Sequence, residues 1–416
     1  MGKGIKVLAA VAVVLNFSGV SSADPWQPNM KLGQLELHPY YKGTGSYDSN
    51  IYLVPRDRPD GTRVGGGVLG SWITRNNIGL KLALPGGGMH SFRGGYDFET
   101  LNYQTQPKAN NAQHHKGNIE YAYKGPAGLT ARLSDGYLST TDPAFSELVD
   151  RKRRWQNTGG VSLDYVPDEG FLAAGVSYNH TVHKYLPSDL AILLNRNEQA
   201  FRGHVGYMLQ PKTKLYLAYS RRIIHYSVHR PSLAVQDKNN KAHHGRVGVE
   251  GELTSKLKGR IETGAGYRRY DEPPVGAQTK ITRNWEVETN LTYKPVERTT
   301  IDLAVARALQ ESTSGTNRFY VDTNASLAVR HKLPYKLTAG VNLAWAVNKY
   351  AEAQTVGGVT AVRRDDLYQQ GASLDYDIQE WLSVGASYLH RERNSTFTSQ
   401  FNYVAHQTAV SLRLQF

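Results

Sequence analysis

Apolar and polar residues alternate along most of this chain with a period of two. Val161, Leu163 and Tyr165 share one parity, as do Leu172, Ala174, Val176 and Tyr178, and Leu337, Ala339, Val341, Leu343 and Trp345, with small or polar residues between them. Successive side chains of an extended strand point to opposite faces, so each set forms one apolar face of a strand. The final residues 410–416 repeat the pattern, with Val410, Leu412, Leu414 and Phe416 on one face. The run 64–84 keeps one parity throughout (Val68, Trp72, Ile78, Leu80, Leu82, Leu84) and counts as a single strand.

Between the strands, short and long connections take turns. The short ones fall at 85–88, 125–128, 167–170, 210–213, 254–256, 294–297, 332–335 and 377–380, most of them with the Pro, Gly, Asp or Asn that tight reversals use. Longer polar segments lie near 48–62, 104–116, 139–154, 184–199, 227–243, 271–283, 310–318, 348–366 and 393–401. Eight turns and nine loops join eighteen strands. The pattern predicts an all-β fold, a transmembrane antiparallel up-and-down β-barrel with short periplasmic turns, long extracellular loops and both termini in the periplasm.

Aromatic residues bound the predicted apolar band at both ends. Tyr123, Tyr165, Tyr207, Tyr293, Tyr376 and Phe416 each close a strand on its apolar face just before a short turn or the C-terminus, and form a predicted periplasmic girdle. Tyr137, Trp155, Phe201, Tyr219, Tyr267, Trp285, Phe319, Trp345 and Tyr388 sit at the opposite ends. A soluble sandwich would need a further layer to cover these stripes.

Composition adds a compartment. Lys3 and Lys6 precede an apolar stretch at 7–15 and the small residues Ser21-Ser22-Ala23, the pattern of a cleaved export signal over 1–23, which leaves 24–416 as the barrel. The apolar stretch is too short for a membrane helix. Cysteine is absent, so there is neither a disulfide framework nor a thiolate metal site. The mean hydropathy of −0.50 resembles that of a soluble protein, but alternation gives a barrel the same average. A formal charge of +13 suits anionic glycans or lipopolysaccharide phosphates. The export signal and the lack of a binding motif argue against nucleic acid.

Residues of the second parity face the lumen. The candidates for contact with cargo are Arg93, Arg132, Arg202, Arg222, Arg246 and Arg260, then Arg268, Arg330, Arg391 and Arg413, with Tyr216 and Tyr320 as inward aromatics. Carboxylates such as Glu99, Asp164, Glu262, Glu286, Glu288 and Asp302 share that face, so many charges are expected to pair across strands. An Arg222→Glu, Arg246→Glu variant is expected to assemble normally and to show reduced export or conductance of acidic cargo. Excess positive charge gathers toward the loop end, where Arg221, Arg222, Arg230, Lys238, Lys241 and Arg246 accompany a single Asp237, and Arg151-Lys152-Arg153-Arg154 forms a second cluster. These groups would steer anions into the mouth or pair with lipopolysaccharide phosphates. The apolar loop segment 188–194 has a helix start at Ser188 and is expected to fold inward as a constriction or lid.

No enzymatic constellation stands out, and no cofactor or metal site is expected. The paired histidines His114-His115 and His243-His244 are read as loop surface residues, without carboxylates at metal-ligand spacing. A plug domain has no room, because 31–47 is already strand-like.

The first hairpin carries Tyr47-Asp48-Ser49-Asn50-Ile51-Tyr52-Leu53 followed by the Pro/Asp-rich Pro55-Arg56-Asp57-Arg58-Pro59-Asp60-Gly61. This resembles the opening of the putative β-barrel porin 2 family, in which a Tyr-Asp-Asp-Asn-type motif leads out of the first strand; here Ser49 replaces the second Asp. The resemblance extends over the mature chain through length, strand rhythm and the terminal Phe416. It implies an outer-membrane exit for an exopolysaccharide or capsular polysaccharide, served by a periplasmic polysaccharide-export protein and inserted by the barrel-assembly machinery, and it brings no catalytic residues. The alternative is a diffusion porin for small anionic solutes; a barrel enzyme and a non-transporting scaffold are more distant readings.

Overall fold

A computed structural model describes residues 30–55, 67–86, 88–143, 147, 151–167, 170–227, 237–272, 280–313 and 317–416. The expected export signal lies outside these residues, as do most of the Pro/Asp-rich segment 55–61 and Arg230. Nineteen strands form one sheet. β1 (Met30–Leu32) is a stub, split from β2 (Leu35–Asp48) where Gly33 takes a left-handed conformation, φ 63°. There follow β3 (Ser71–Gly86), β4 (His90–Tyr103), β5 (Ala112–Lys124), β6 (Leu129–Thr140), β7 (Arg154–Tyr165) and β8 (Leu172–Tyr185). Next come β9 (Arg196–Gln210), β10 (Thr213–Tyr226), β11 (Asn240–Glu252), β12 (Leu257–Tyr270) and β13 (Ile281–Tyr293). The circuit ends with β14 (Thr299–Glu311), β15 (Phe319–Lys332), β16 (Leu337–Val356), β17 (Val359–Gln379), β18 (Leu382–Ser395) and β19 (Tyr403–Gln415).

Each wall strand pairs antiparallel with the next, and β19 returns to β2 in the register Gln407↔Asp48 to Gln415↔Tyr40. Eighteen strands, β2 to β19, therefore close a cylinder. At a strand spacing near 4.8 Å and a tilt of about 40°, such a wall has a backbone diameter of roughly 36 Å.

Burial is inverted relative to a soluble sheet. The apolar parity is the exposed one: Val410 is 66% exposed, Leu217 63% and Val205 61%. Polar residues of the other parity, such as Asp48, His114, Glu198 and Glu262, are buried inside. On β13, Trp285 and Tyr293 are eight positions apart. They span about 27 Å of strand, or roughly 20 Å after tilt, close to the height of an outer-membrane apolar band.

Two expectations change. Segment 348–366, read as a loop, is a protruding hairpin in which β16 and β17 continue past a register shift between Lys349 and Ala353. Gly357 and Gly358, φ 59° and 80°, make the tight reversal that follows the twist of the two strands. The paired histidines stand in β5 and β11, and alternation sends the members of each pair to opposite faces.

Candidate functional site

Inside the barrel, inward side chains of β9–β13 form one continuous ion-pair lattice centred on Glu262, which is 1% exposed. Arg202 reaches over from β9 and donates from both terminal nitrogens, at 3.2 and 2.5 Å. The Tyr216 hydroxyl donates to the same carboxylate at 2.6 Å, and Arg246 at 3.0 Å. Arg246 also donates to Glu286 at 2.6 Å, and His244 lies 3.0 Å from that carboxylate. Arg260 pairs with Glu288. Nearer the outer rim, Arg222 and Arg196 both pair with Glu198, and Arg268 meets Glu311 at 2.5 Å. Arg132–Asp164 (2.9 Å), Arg330–Asp302 (2.8 Å) and Arg391–Asp48 (2.7 Å) are separate pairs.

The candidate residues thus divide. Eight of the ten arginines are neutralised by carboxylates; only Arg93 and Arg413 have no ion pair among the described residues. Arg93 is exposed in the interior opposite Glu120 in the β4–β5 register, as exposed Lys116 is opposite Asp97, and Asn118 and Ser134 on the same inner face are also exposed. Arg413 stands next to Lys42 in the β19–β2 ladder. Tyr216 and Tyr320 do face inward but are 3% and 1% exposed, Tyr216 held on Glu262 and Tyr320 stacked on Tyr350 at 5.3 Å. Neither ring is open to the lumen. In the expected girdle, Tyr165, Tyr207, Tyr293, Tyr376 and Phe416 are exposed at the turn end and Tyr123 is half-buried against His90.

Loop residues meet across the outer mouth, through a contact that the alternation pattern does not reveal. Glu147, in the connection between β6 and β7, is buried against the connection between β14 and β15, on nearly the opposite side of the wall. The Ser312 hydroxyl donates to its carboxylate at 2.9 Å and the Thr313 backbone N–H at 2.5 Å. Arg151, from the same β6–β7 connection, lies over the inward Tyr103 ring, 5.0 Å from its centre. Burial, with Arg75 nearby, lowers the Arg151 guanidinium to about 10. From the β10–β11 connection, Lys238 donates to the Ser312 carbonyl at 2.7 Å, and burial lowers its ammonium to about 8 despite Glu147 and Glu311. Asn317 exchanges hydrogen bonds with the backbone of Glu352, which ties the same loop to the protruding hairpin. The expected inward segment forms a short helix, α1 (Ser188–Leu194), whose Leu190, Leu193 and Leu194 pack on the inward Tyr185 at the rim.

The relocated histidines explain themselves locally. His114 turns inward to Glu99 at 3.0 Å and His244 to Glu286, while His115 and His243 turn outward to accept or donate with Tyr96 (2.7 Å) and Tyr219 (2.6 Å). Among the described residues no group of three or more His, Cys, Asp or Glu is arranged to hold a metal.

The sequence profile of the family described as putative beta-barrel porin 2 matches residues 193–416, more than half of the chain. The chain belongs to that family. With the closed barrel, membership places it in the bacterial outer membrane as a porin-like protein. No curated protein matches it. Solved structures that resemble it include the siderophore receptor PirA from Acinetobacter baumannii (11% identity, 93% of this chain and 81% of that one, TM-score 0.44). Others are PirA from Pseudomonas aeruginosa (9%, 91% and 80%, 0.43) and the alcaligin receptor FauA from Bordetella pertussis (10%, 90% and 76%, 0.39).

In this β-barrel porin 2 member, the motif at 47–53 precedes the matched region and closes the cylinder. Asp48 accepts from Asn50 N–H at 2.9 Å and from Arg391. The Asn50 amide donates to the carbonyls of Val54 (2.9 Å) and Val404 (3.1 Å) and accepts from Val54 N–H. Ser49 and His406 exchange hydrogen bonds at 2.9 Å. The polar motif therefore joins the first wall strand to the last at the outer rim.

Proposed function

We propose that this barrel is a gated outer-membrane conduit through which an exopolysaccharide or capsular polysaccharide leaves the cell, supplied from below by a periplasmic export partner. The observation that carries this reading is the buried Glu147 bridge across the mouth. A diffusion channel needs a standing aperture, whereas a dedicated exporter has to stay shut between cargoes. A wide interior with exposed Asn118, Ser134, Arg93 and Lys116 supports passage of a hydroxyl-rich, acidic polymer, since amides and hydroxyls exchange hydrogen bonds with sugars and cations draw carboxylates. The family resemblance points the same way.

The exposed Arg93 and Lys116 favour one rival, a porin for small anions. Deleting the gene and measuring surface polysaccharide separates the two. Loss of surface polymer with material retained in the periplasm, restored by the wild-type gene, is the expected outcome. Normal surface polymer together with slowed uptake of small anions would overturn the export reading in favour of the porin.

A further inference from the structure

The outer wall of β10–β13 carries a surface feature unrelated to the lumen. Three rows of directly paired residues run across these four strands. The middle row is Arg221, His243, Tyr267 and Arg283; the row above it is Ile223, Lys241, Arg269 and Ile281. Below them Tyr219, Gly245, Ala265 and Trp285 stand side by side, so two large rings flank a floor with almost no side chain. A concave depression of about 680 Å³ lies along the middle and lower rows and the Arg307 side of β13, with Lys241 and Arg269 one row above it. Beneath it the wall is apolar, with Leu217, Val247 and Val287 in the next row.

The charge is one-sided. Arg221, Lys241, Arg269 and Arg283 are exposed, and none has an ion pair among the described residues. No Asp or Glu occupies the outward parity of β10–β13. Elsewhere on the rim an outward cation can have its own carboxylate, as Arg364 has Asp366 at 2.8 Å. Four unneutralised cations at one edge of an apolar band need an anion, and the trough beneath them needs an apolar chain.

The site is also held in shape. His243 stacks on Tyr267 with ring centres 4.9 Å apart and bonds to the Tyr219 hydroxyl. The β13–β14 ladder ends at Val287↔Arg307, short of the rim. Arg307 occupies the seam, donating to the Trp285 carbonyl at 2.7 Å while its guanidinium lies 4.2 Å from the centre of the Trp285 ring.

We infer that this depression binds a phosphorylated, acylated glycolipid of the outer leaflet, the lipid A portion of lipopolysaccharide. Its phosphates meet Arg283, Lys241 and Arg269 in charge-assisted contacts, and one acyl chain lies over Gly245 and Ala265 between Tyr219 and Trp285. The site faces the membrane, so it stands whether or not the lumen carries a polysaccharide.

The test is native mass spectrometry of the detergent-solubilised full chain titrated with diphosphoryl lipid A, with its dephosphorylated form and with phosphatidylglycerol. Wild-type protein is expected to retain one diphosphoryl lipid A and to bind the other two at least about tenfold more weakly, because only the first supplies two phosphates on an acylated sugar. The K241Q/R269Q/R283Q variant should lose that preference. Gly245→Leu should lose the bound lipid by filling the trough, since a Cβ added at Gly245 meets no atom within 4 Å and the added side chain starts in open space. Both variants should keep the heat-dependent gel shift of a folded barrel. Equal retention of all three lipids, or unchanged lipid A binding by both folded variants, would overturn the inference.

Discussion

Single residues carry the two features that make this cylinder a defined object, its closure and its inner lattice. Asn50 is buried and serves three backbone groups, one of them on the last strand. Asn50→Ala leaves those groups without partners and is expected to cost about 2–4 kcal/mol, read as a lower temperature for the folded-to-unfolded gel shift. An unchanged transition would mean that the rim closes without it. Arg246 bridges Glu262 and Glu286. Arg246→Glu would add a third carboxylate to that pair and remove the bridging cation, at a cost of about 3–5 kcal/mol. The ion pairs thus alter what the sequence suggests for this position: the variant should assemble poorly, measured as less heat-modifiable barrel in outer-membrane fractions, instead of assembling normally with a transport defect. Parity in the sequence identifies such arginines as inward. It does not say which carboxylate each one meets, because partners like Arg202 and Glu262 lie three strands and 60 residues apart.

At the scale of elements, strand number follows from alternation, since one misplaced residue would turn an apolar face inward. What alternation misses is polar strand. The 348–366 hairpin carries Lys349, Glu352, Gln354 and Arg363 above the membrane, where no lipid selects an apolar face, and so it reads as loop. His114 and His243 were hidden for the same reason. The loop contact across the mouth is illegible in a stronger sense: Glu147 and Ser312 are 165 residues apart, and no spacing rule links them. Lys238 makes this assembly pH-dependent. Burial lowers its ammonium from 10.5 to about 8 in the closed mouth. In an open mouth the solvated side chain keeps its proton up to about 10.5, so between these values closure releases a proton and rising pH favours the closed state. Glu147 and Glu311 oppose the shift and Arg196 adds to it. Open probability in planar bilayers should therefore fall from pH 8 to 10 in wild type, and Lys238→Met should flatten that dependence. An identical slope in the variant would assign the effect to another group.

For the whole molecule, the inverted burial, the two aromatic edges and the closed register make an outer-membrane barrel whose interior is polar and whose outer end is crossed by a contact between two of its loops. The inner wall is largely self-neutralised, whereas the outer face on β10–β13 carries four cations with no ion pair among the described residues. In the proposed gate Glu147 is the latch, and it lies between β6 and β7, outside the wall strands. The most direct measurement is single-channel conductance in planar bilayers of wild-type protein beside Glu147→Ala. Rare, brief openings for wild type and an open probability raised by an order of magnitude or more in the variant, with the same barrel stability, are predicted from the loss of two hydrogen bonds to a charged group. A wild-type channel that stands open, or a variant that conducts no differently, would contradict the account.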